Sequence, residues 1–456
     1  TDLSVCLSGK RRIKPFLNRS EQEFVASRRD TVLQTLKKLK IQCSRKEVPN
    51  IALLGSGGGQ RAMVGLLGSL VELDKAGLLD CILYLSGVSG STWCMASLYQ
   101  EPDWSTKLET VKDNIIERVK GPEVSLTDAM AKLKKYYYGK DFFSLTDVWA
   151  VMAVTSYVKE IDEHALTEQR NQHKKDPFPI YTVIDKQCKQ SNEQNPWFEI
   201  NPYEAGYSLT GAFVDTCDFG SQFHKGSKKK HQDEFDMLYL QGKKLCHRKM
   251  YNCFTDAGIS ICKCMAQWIW GRKYNFLHNM TDEAVHSTIL QSETRDYIDA
   301  GLLQNSPFFS VLREERDIDL IISLDFSQGD PFMTVRNAAE TCKTLNIPFP
   351  EVTSGDKMKP KDFYVFKGQN SPTVIHIPLF NVVNCGDKVE DLRKKYRTFQ
   401  DPYSAEMIAD LMEVAGKNIS NNREKLKEQI AAVIEEKRFS RFNTFLNKDS
   451  FRLNIE

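Results

Sequence analysis

VPNIALLGSGGGQRAMVGLLGSLVELDKAGLL, residues 48–79, passes from an apolar run through a glycine cluster into a long stretch of helical spacing. That switch reads as strand, tight turn and helix. CILYLSGVSGSTWCMASLY, residues 81–99, repeats it at once with a short apolar strand, a glycine-bounded turn and a helix start. Two such units in succession predict a parallel sheet covered by helices. A third lies in DIDLIISLDFSQGDPFMTVRNAAETCKTL, where residues 318–326 predict the strand and Pro331 opens the helix. The expected fold class is α/β, with a largely parallel sheet flanked by helices.

Further out, Phe24, Val25, Val32, Leu33 and Leu36 fall at helical spacing within residues 20–44, ahead of a basic end; this predicts an amphipathic helix. Between about 190 and 295 the periodicity fades through PWFEINPYEAGY, KGSKKKHQDEF and a cysteine-rich stretch, which we read as an inserted cap. Residues 404–438 are helical in pattern and mixed in charge, as expected of two surface helices over the sheet.

The 456 residues give room for a large buried core. Lys and Arg number 62 against 60 Asp and Glu, so the chain lacks the global positive field of a nucleic-acid binder. Twelve cysteines are scattered from Cys6 to Cys385 without paired C-x-x-C spacing, which points to reduced thiols rather than disulfides or zinc. Cys262 and Cys264, with His247 nearby, make a weak metal reading by spacing. There is no signal-peptide pattern, no run of 18 apolar residues and no prenylation box at FRLNIE. The expectation is a cytoplasmic protein that meets a membrane only peripherally, with no metal and no cofactor.

The chemistry centres on Gly87-Val88-Ser89-Gly90-Ser91. A serine hydroxyl becomes a nucleophile when it is exposed on a sharp strand-to-helix turn with a base in reach and donors facing the oxyanion. The stretch differs from G-x-S-x-G in its last residue, and the alternative is a tight turn with a capping serine. GSGGGQR, residues 55–61, fails both the dinucleotide and the P-loop spacings. Its consecutive glycines instead offer bare backbone N–H groups for an oxyanion hole. Arg61 sits in the first helical turn, where a cation opposes the dipole, so either an anionic ligand such as a phosphate accounts for it or it is merely solvated. No histidine has an evident triad position; His376 in TVIHIPLFN reads as a strand residue. Asp299 in RDYIDAGLL ends a short strand before Ala300-Gly301 and offers a carboxylate base.

GSGGGQRAM, LSGVSGSTW, DYIDAGL and DLIISLDFS together resemble the catalytic domain of the cytosolic (group IV) phospholipase A2 family, and more distantly patatin-like lipases. WIWGRKYNFL and GDPFMTVRNAAETCKTLNIPFPEV are most similar to its gamma member, which lacks the calcium-binding C2 domain. The likeness spans about residues 15–400. It implies one catalytic domain over 1–456 with a cap or lid at about 190–295 and no C2 domain. It implies a Ser-Asp dyad of Ser89 as nucleophile and Asp299 as base, an oxyanion hole at Gly58 and Gly59, a phosphate contact at Arg61 and a supporting arginine at Arg316. Two features depart from the family. After LYLQG, residues 238–242, the chain runs KKLCHRKMYNCF where the family has an apolar tryptophan-containing helix, and the prenylated tail is absent.

The expected function is a calcium-independent phospholipase A2 and lysophospholipase, with transacylation as a close variant. An inactive lipid-binding module on the same fold and a soluble carboxylesterase are the alternatives. The basic, aromatic segment 132–143 and the basic segment 225–232 are the candidates for contact with a phospholipid surface, the alternative being solvated loops.

Overall fold

The computed structural model describes residues 12–13, 16–191, 195–242, 271–353, 355–398 and 400–453. In chain order the strands are β1 (Arg12–Ile13), β2 (Ile51–Gly55), β3 (Tyr84–Gly87), β4 (Phe178–Asp185), β5 (Trp197–Ile200), β6 (Glu204–Tyr207), β7 (Ala212–Asp215), β8 (Gln222–His224), β9 (Ser227–Lys230), β10 (Arg272–Tyr274), β11 (Thr294–Asp299), β12 (Leu320–Asp325), β13 (Tyr364–Phe366) and β14 (Thr373–Pro378). The helices that matter below are α1 (Arg19–Lys38), α2 (Gln60–Lys75), α3 (Gly90–Leu98), α4 (Leu108–Lys120) and α5 (Leu126–Gly139).

One twisted sheet runs β1-β7-β6-β5-β4-β3-β2-β12-β14-β13. Its centre, β4-β3-β2-β12-β14, is parallel, while β5, β6 and β7 continue it antiparallel. Leu53, Leu85, Ile322 and Ile375 face one core, and Ala52, Leu54, Ile321 and Val374 face the other. Both faces are dry, so the central strands read as unbroken apolar runs rather than as alternating patterns. The sheet is thus mixed and largely parallel, as the class reading expected.

The expected cap is revised on its first half. Residues 197–215 are not an insertion beside the sheet but its antiparallel wing, in three strands of four residues. Nearly every residue of these strands is buried on both faces, which erases the period of two that marks a half-exposed strand. Pro331 lies in the turn before its helix, which starts at Met333. The first helix ends at Lys38 rather than near 44. The C-terminal pattern becomes Ala405–Ser420, with Ile408, Leu411 and Ile419 buried, and Arg423–Leu453. His376 is indeed on a strand, β14.

Six described cysteines are free thiols, but Cys217 is disulfide-bonded. This corrects the expectation of reduced thiols throughout, because sequence spacing reports only neighbouring pairs. His247, Cys262, Cys264 and KKLCHRKMYNCF (243–254) lie outside the described residues. Among the described residues no helix is long and apolar enough to cross a membrane.

Candidate active site

Tyr181 pairs with Gly87 on β3 and with Ile200 on β5, so β3 and β5 occupy opposite edges of β4. Val183 pairs with Phe198 on β5 and with Asp299 on β11, which puts β11 on the same edge as β3. β3 runs parallel to β4 and β11 antiparallel, so the two strands point their C-termini at each other along that edge. Their last residues, Gly87 and Asp299, are two register positions apart, roughly 7 Å along β4. Ser89 lies two residues beyond Gly87, with Val88 between them. A head-to-head meeting of two strand ends therefore brings together a serine and an aspartate 210 positions apart in the chain.

Ser89 is half-buried and holds φ 53°, ψ −124°. A non-glycine residue with positive φ is strained, and here the strain lifts the side chain off the strand as an elbow turn requires. Asp299 is 7% exposed, and its Oδ1 accepts the Gly301 N–H at 2.8 Å. Ser89, Thr92, Tyr181, Val183, Gln241 and Asp299 line one slot of about 10 Å³, room for a single water. A larger cavity of about 460 Å³ opens between α1 and the start of β4. It contains none of these groups, so chemistry rather than size marks the site.

The glycine loop crosses the elbow at the closest possible approach. A Cβ on Gly90 would sit 1.9 Å from the Gly59 oxygen and 2.7 Å from its nitrogen. Gly59 itself has φ 63°, ψ −139° and opens α2. Only glycine at both positions lets the loops touch. Among the described residues no acceptor takes the N–H of Gly58, Gly59 or Gly90. These amides stand at the start of two helices beside Ser89, where the helix dipole favours negative charge.

Ser91, the residue that departs from G-x-S-x-G, donates its hydroxyl to the Ser56 carbonyl at 2.6 Å. A final glycine would lack this tie. Ser56 in turn donates to Asp325 Oδ1 at 3.2 Å and accepts from the Phe326 N–H at 2.6 Å. Asn305 exchanges two bonds with Gly57, its Nδ2 donating to the Gly57 carbonyl at 3.0 Å and its own carbonyl accepting at 2.9 Å. Ser56 and Asn305 were not singled out from sequence, because nothing local distinguishes them.

Arg61 is not an exposed cation waiting for an anion. It is 1% exposed, donating to the carbonyls of Phe326 (2.7 Å) and Tyr396 (2.6 Å) and to Thr398 Oγ1 (3.1 Å). Burial pushes its pKa down to about 10. The guanidinium therefore has protein acceptors of its own, which sequence position could not reveal.

Arg316 lies at the other end of β3. It sits 5.4 Å from the Tyr84 ring and bonds Glu21 at 2.8 Å and Glu199 at 2.6 Å, all in the core. Burial would raise the Glu199 carboxyl, but the Arg316 and Arg313 guanidiniums hold it below its ordinary value. Ser89 follows the opposite end of the same strand, so Arg316 supports the fold beneath the site rather than the slot itself.

The two candidate membrane segments adjoin. Lys230 on β9 bonds Asp141 at 2.6 Å, and Gln232 donates to the Gly139 carbonyl at 3.2 Å. Lys132, Tyr136 and Lys140 are turned inward, Lys132 and Tyr136 onto Asp236 and Lys140 onto Asp147. Tyr138 is 83% exposed, and the hairpin residues Ser227–Lys230 are all exposed. Asp236 caps the short helix Met237–Gln241, whose Gln241 lines the slot.

The chain is similar to known proteins in sequence and in fold. Residues 51–245 match a family described as the lysophospholipase catalytic domain. The chain is 29% identical to cytosolic phospholipase A2 gamma of Mus musculus, over 89% of this chain and 90% of that protein. It is also 29% identical to cytosolic phospholipase A2 gamma of Homo sapiens, over 92% and 96%. The fold superposes on human GIVD cytosolic phospholipase A2 with a TM-score of 0.80 at 24% identity, covering 93% of this chain and 66% of that one. The same protein in complex with methyl gamma-linolenyl fluorophosphonate gives 0.75 at 25% identity. This chain spans about two thirds of the length of that structure.

Proposed function

We propose that this chain, similar over nine tenths of its length to cytosolic phospholipases A2, is a serine acyl hydrolase of glycerophospholipids and lysophospholipids. The observation that carries the reading is the head-to-head approach of β3 and β11, which sets the strained Ser89 and the Asp299 carboxylate on one slot.

Asp299 takes the proton as Ser89 Oγ attacks the acyl carbonyl. The oxyanion forms against the amides of Gly58 and Gly59, which have no described protein acceptor. Collapse of the tetrahedral intermediate breaks the ester C–O bond, and the departing glycerol oxygen takes the proton from Asp299. Water then gives its proton to Asp299 and attacks the acyl-enzyme, releasing the fatty acid and restoring Ser89. A second lipid hydroxyl in place of water turns the same groups to transacylation. Arg61 fastens α2 to the carbonyls of Phe326 and Tyr396, and so holds the glycine loop in place.

The exposed Tyr138 and the lysines of β9 form the face for peripheral contact with a phospholipid surface. No step in this scheme uses calcium. The cytosolic setting of the relatives' names carries over as an expectation, and the Cys217 disulfide is unusual for that compartment.

The test is fatty-acid release from mixed phospholipid and lysophospholipid vesicles with excess calcium chelator, comparing wild type with Ser89→Ala and Asp299→Asn. Release by wild type alone supports the reading. Equal release by either variant removes that residue from the mechanism, and absence of release from a folded wild type favours a lipid-binding module.

A further inference from the structure

We infer that Asn305 is a positioning residue that locks the oxyanion loop and the Asp299 turn into one frame; the inference rests on the reaction proposed above. Asn305 lies six residues beyond Asp299, on the chain that leaves β11. Its backbone carbonyl accepts from the Gly57 N–H at 2.9 Å, and its Nδ2 donates back to the Gly57 carbonyl at 3.0 Å. The second Nδ2 hydrogen goes to Ser327 Oγ at 2.7 Å, and the Ser327 amide is held by Asp325 Oδ1 at 2.9 Å. One carboxamide therefore joins three segments: the loop after β2, the turn after β11 and the loop after β12.

Its remaining oxygen lies close to both Gly57 and Gly301. A Cβ added at Gly57 would fall 2.4 Å from Asn305 Oδ1 and 2.9 Å from Ser89 Cβ. One added at Gly301 would fall 2.9 Å from the same Oδ1 and 3.2 Å from Asp299 Oδ1. The carboxamide thus borders one glycine that adjoins Ser89 and another that adjoins Asp299. Small displacements of such groups have large kinetic effects, because the oxyanion donors work only within hydrogen-bond distance of the developing charge.

Asparagine suits this position where a residue of the same shape does not. Asn305→Asp keeps the volume but turns the donation to the Gly57 carbonyl into a contact between two acceptors, reverses the bond with the Ser327 hydroxyl, and adds negative charge near Asp299. Asn305→Ala removes the side chain and leaves the backbone link to Gly57. Ser327→Ala leaves the Gly57 pair intact.

The experiment measures kcat and KM on a short-chain soluble ester, the rate of Ser89 labelling by an alkyl fluorophosphonate, and hydrogen exchange over residues 56–60 and 299–304. The inference expects Asn305→Ala and Asn305→Asp each to lower kcat and the labelling rate about tenfold or more with KM within about twofold, and to speed exchange in both segments. Ser327→Ala is expected to stay within about threefold of wild type. Asn305→Asp matching wild type, or exchange rising in one segment alone, overturns the frame. The labelling and exchange readouts do not need phospholipid turnover, so a wild type that releases no fatty acid counts against the proposed function while these still judge Asn305.

Discussion

Ser91 Oγ donates to the Ser56 carbonyl at 2.6 Å, and this bond ties the turn that carries Ser89 to the glycine loop of residues 57–59. The tie is fully buried. Deleting the donor leaves a carbonyl unsatisfied, at a cost of about 1–3 kcal/mol. Ser91→Ala, and equally Ser91→Gly, should lower the denaturation midpoint and reduce kcat more than it raises KM. A Ser91→Gly enzyme as stable and active as wild type would show that the tie is dispensable.

Arg61→Ala strands two buried carbonyls, those of Phe326 and Tyr396, so about 3 kcal/mol of stability should be lost. Arg61→Lys recovers little, since an ammonium cannot span three directions from one planar group. Because the guanidinium acts by holding α2, activity on phospholipids and on a neutral ester should fall by the same factor. A loss confined to phospholipids would instead assign Arg61 a phosphate contact.

Arg316→Ala leaves Glu21 and Glu199 in the core without their shared cation. Breaking a buried pair in this way typically costs about 3–5 kcal/mol, a large part of a domain's stability. Urea titration should show that loss, with partial recovery in Arg316→Ala combined with Glu199→Gln. The protein that remains folded should keep its turnover number; a disproportionate loss of kcat would move Arg316 into the reaction.

Lys273 gives a dependence on pH. Burial, with Lys140 adding repulsion, pushes its ammonium down from 10.5 to about 7, while Asp147, Asp236 and Asp141 pull the other way. The Tyr239 ring lies 4.2 Å from the amine. Between about 7 and 10.5 the unfolded chain keeps a proton that the folded chain has released, so this lysine makes stability rise with pH across that window. Below 7 both states carry the proton and the burial cost is fully present. The Tm of wild type minus that of Lys273→Met should therefore climb from pH 7 to pH 9, and a flat difference would count against a shifted Lys273.

The elements that the sequence determined alone are the local ones. A buried strand, a glycine turn and a helix start are adjacent in the chain, so the units 48–79 and 81–99 carried both the parallel sheet and the placement of Ser89 on an elbow. Asp299 was legible for the same reason, as a carboxylate at a strand end before a small-residue bend.

What the tertiary structure alone decided depends on pairings between distant segments. β11 pairs antiparallel with the edge of β4 that β3 leaves open, and this register brings Asp299 to Ser89. Residues 197–215 joined the sheet rather than a cap by pairing in register outward from β4, and burial on both faces removes the alternation that would have announced them as strands. Arg61 and Arg316 carry the same charge and had similar standing in the sequence. One is turned onto backbone carbonyls and the other onto two glutamates, since a buried guanidinium must find acceptors wherever the fold supplies them. Which acceptors those are is a property of packing, and no run of neighbouring residues encodes it.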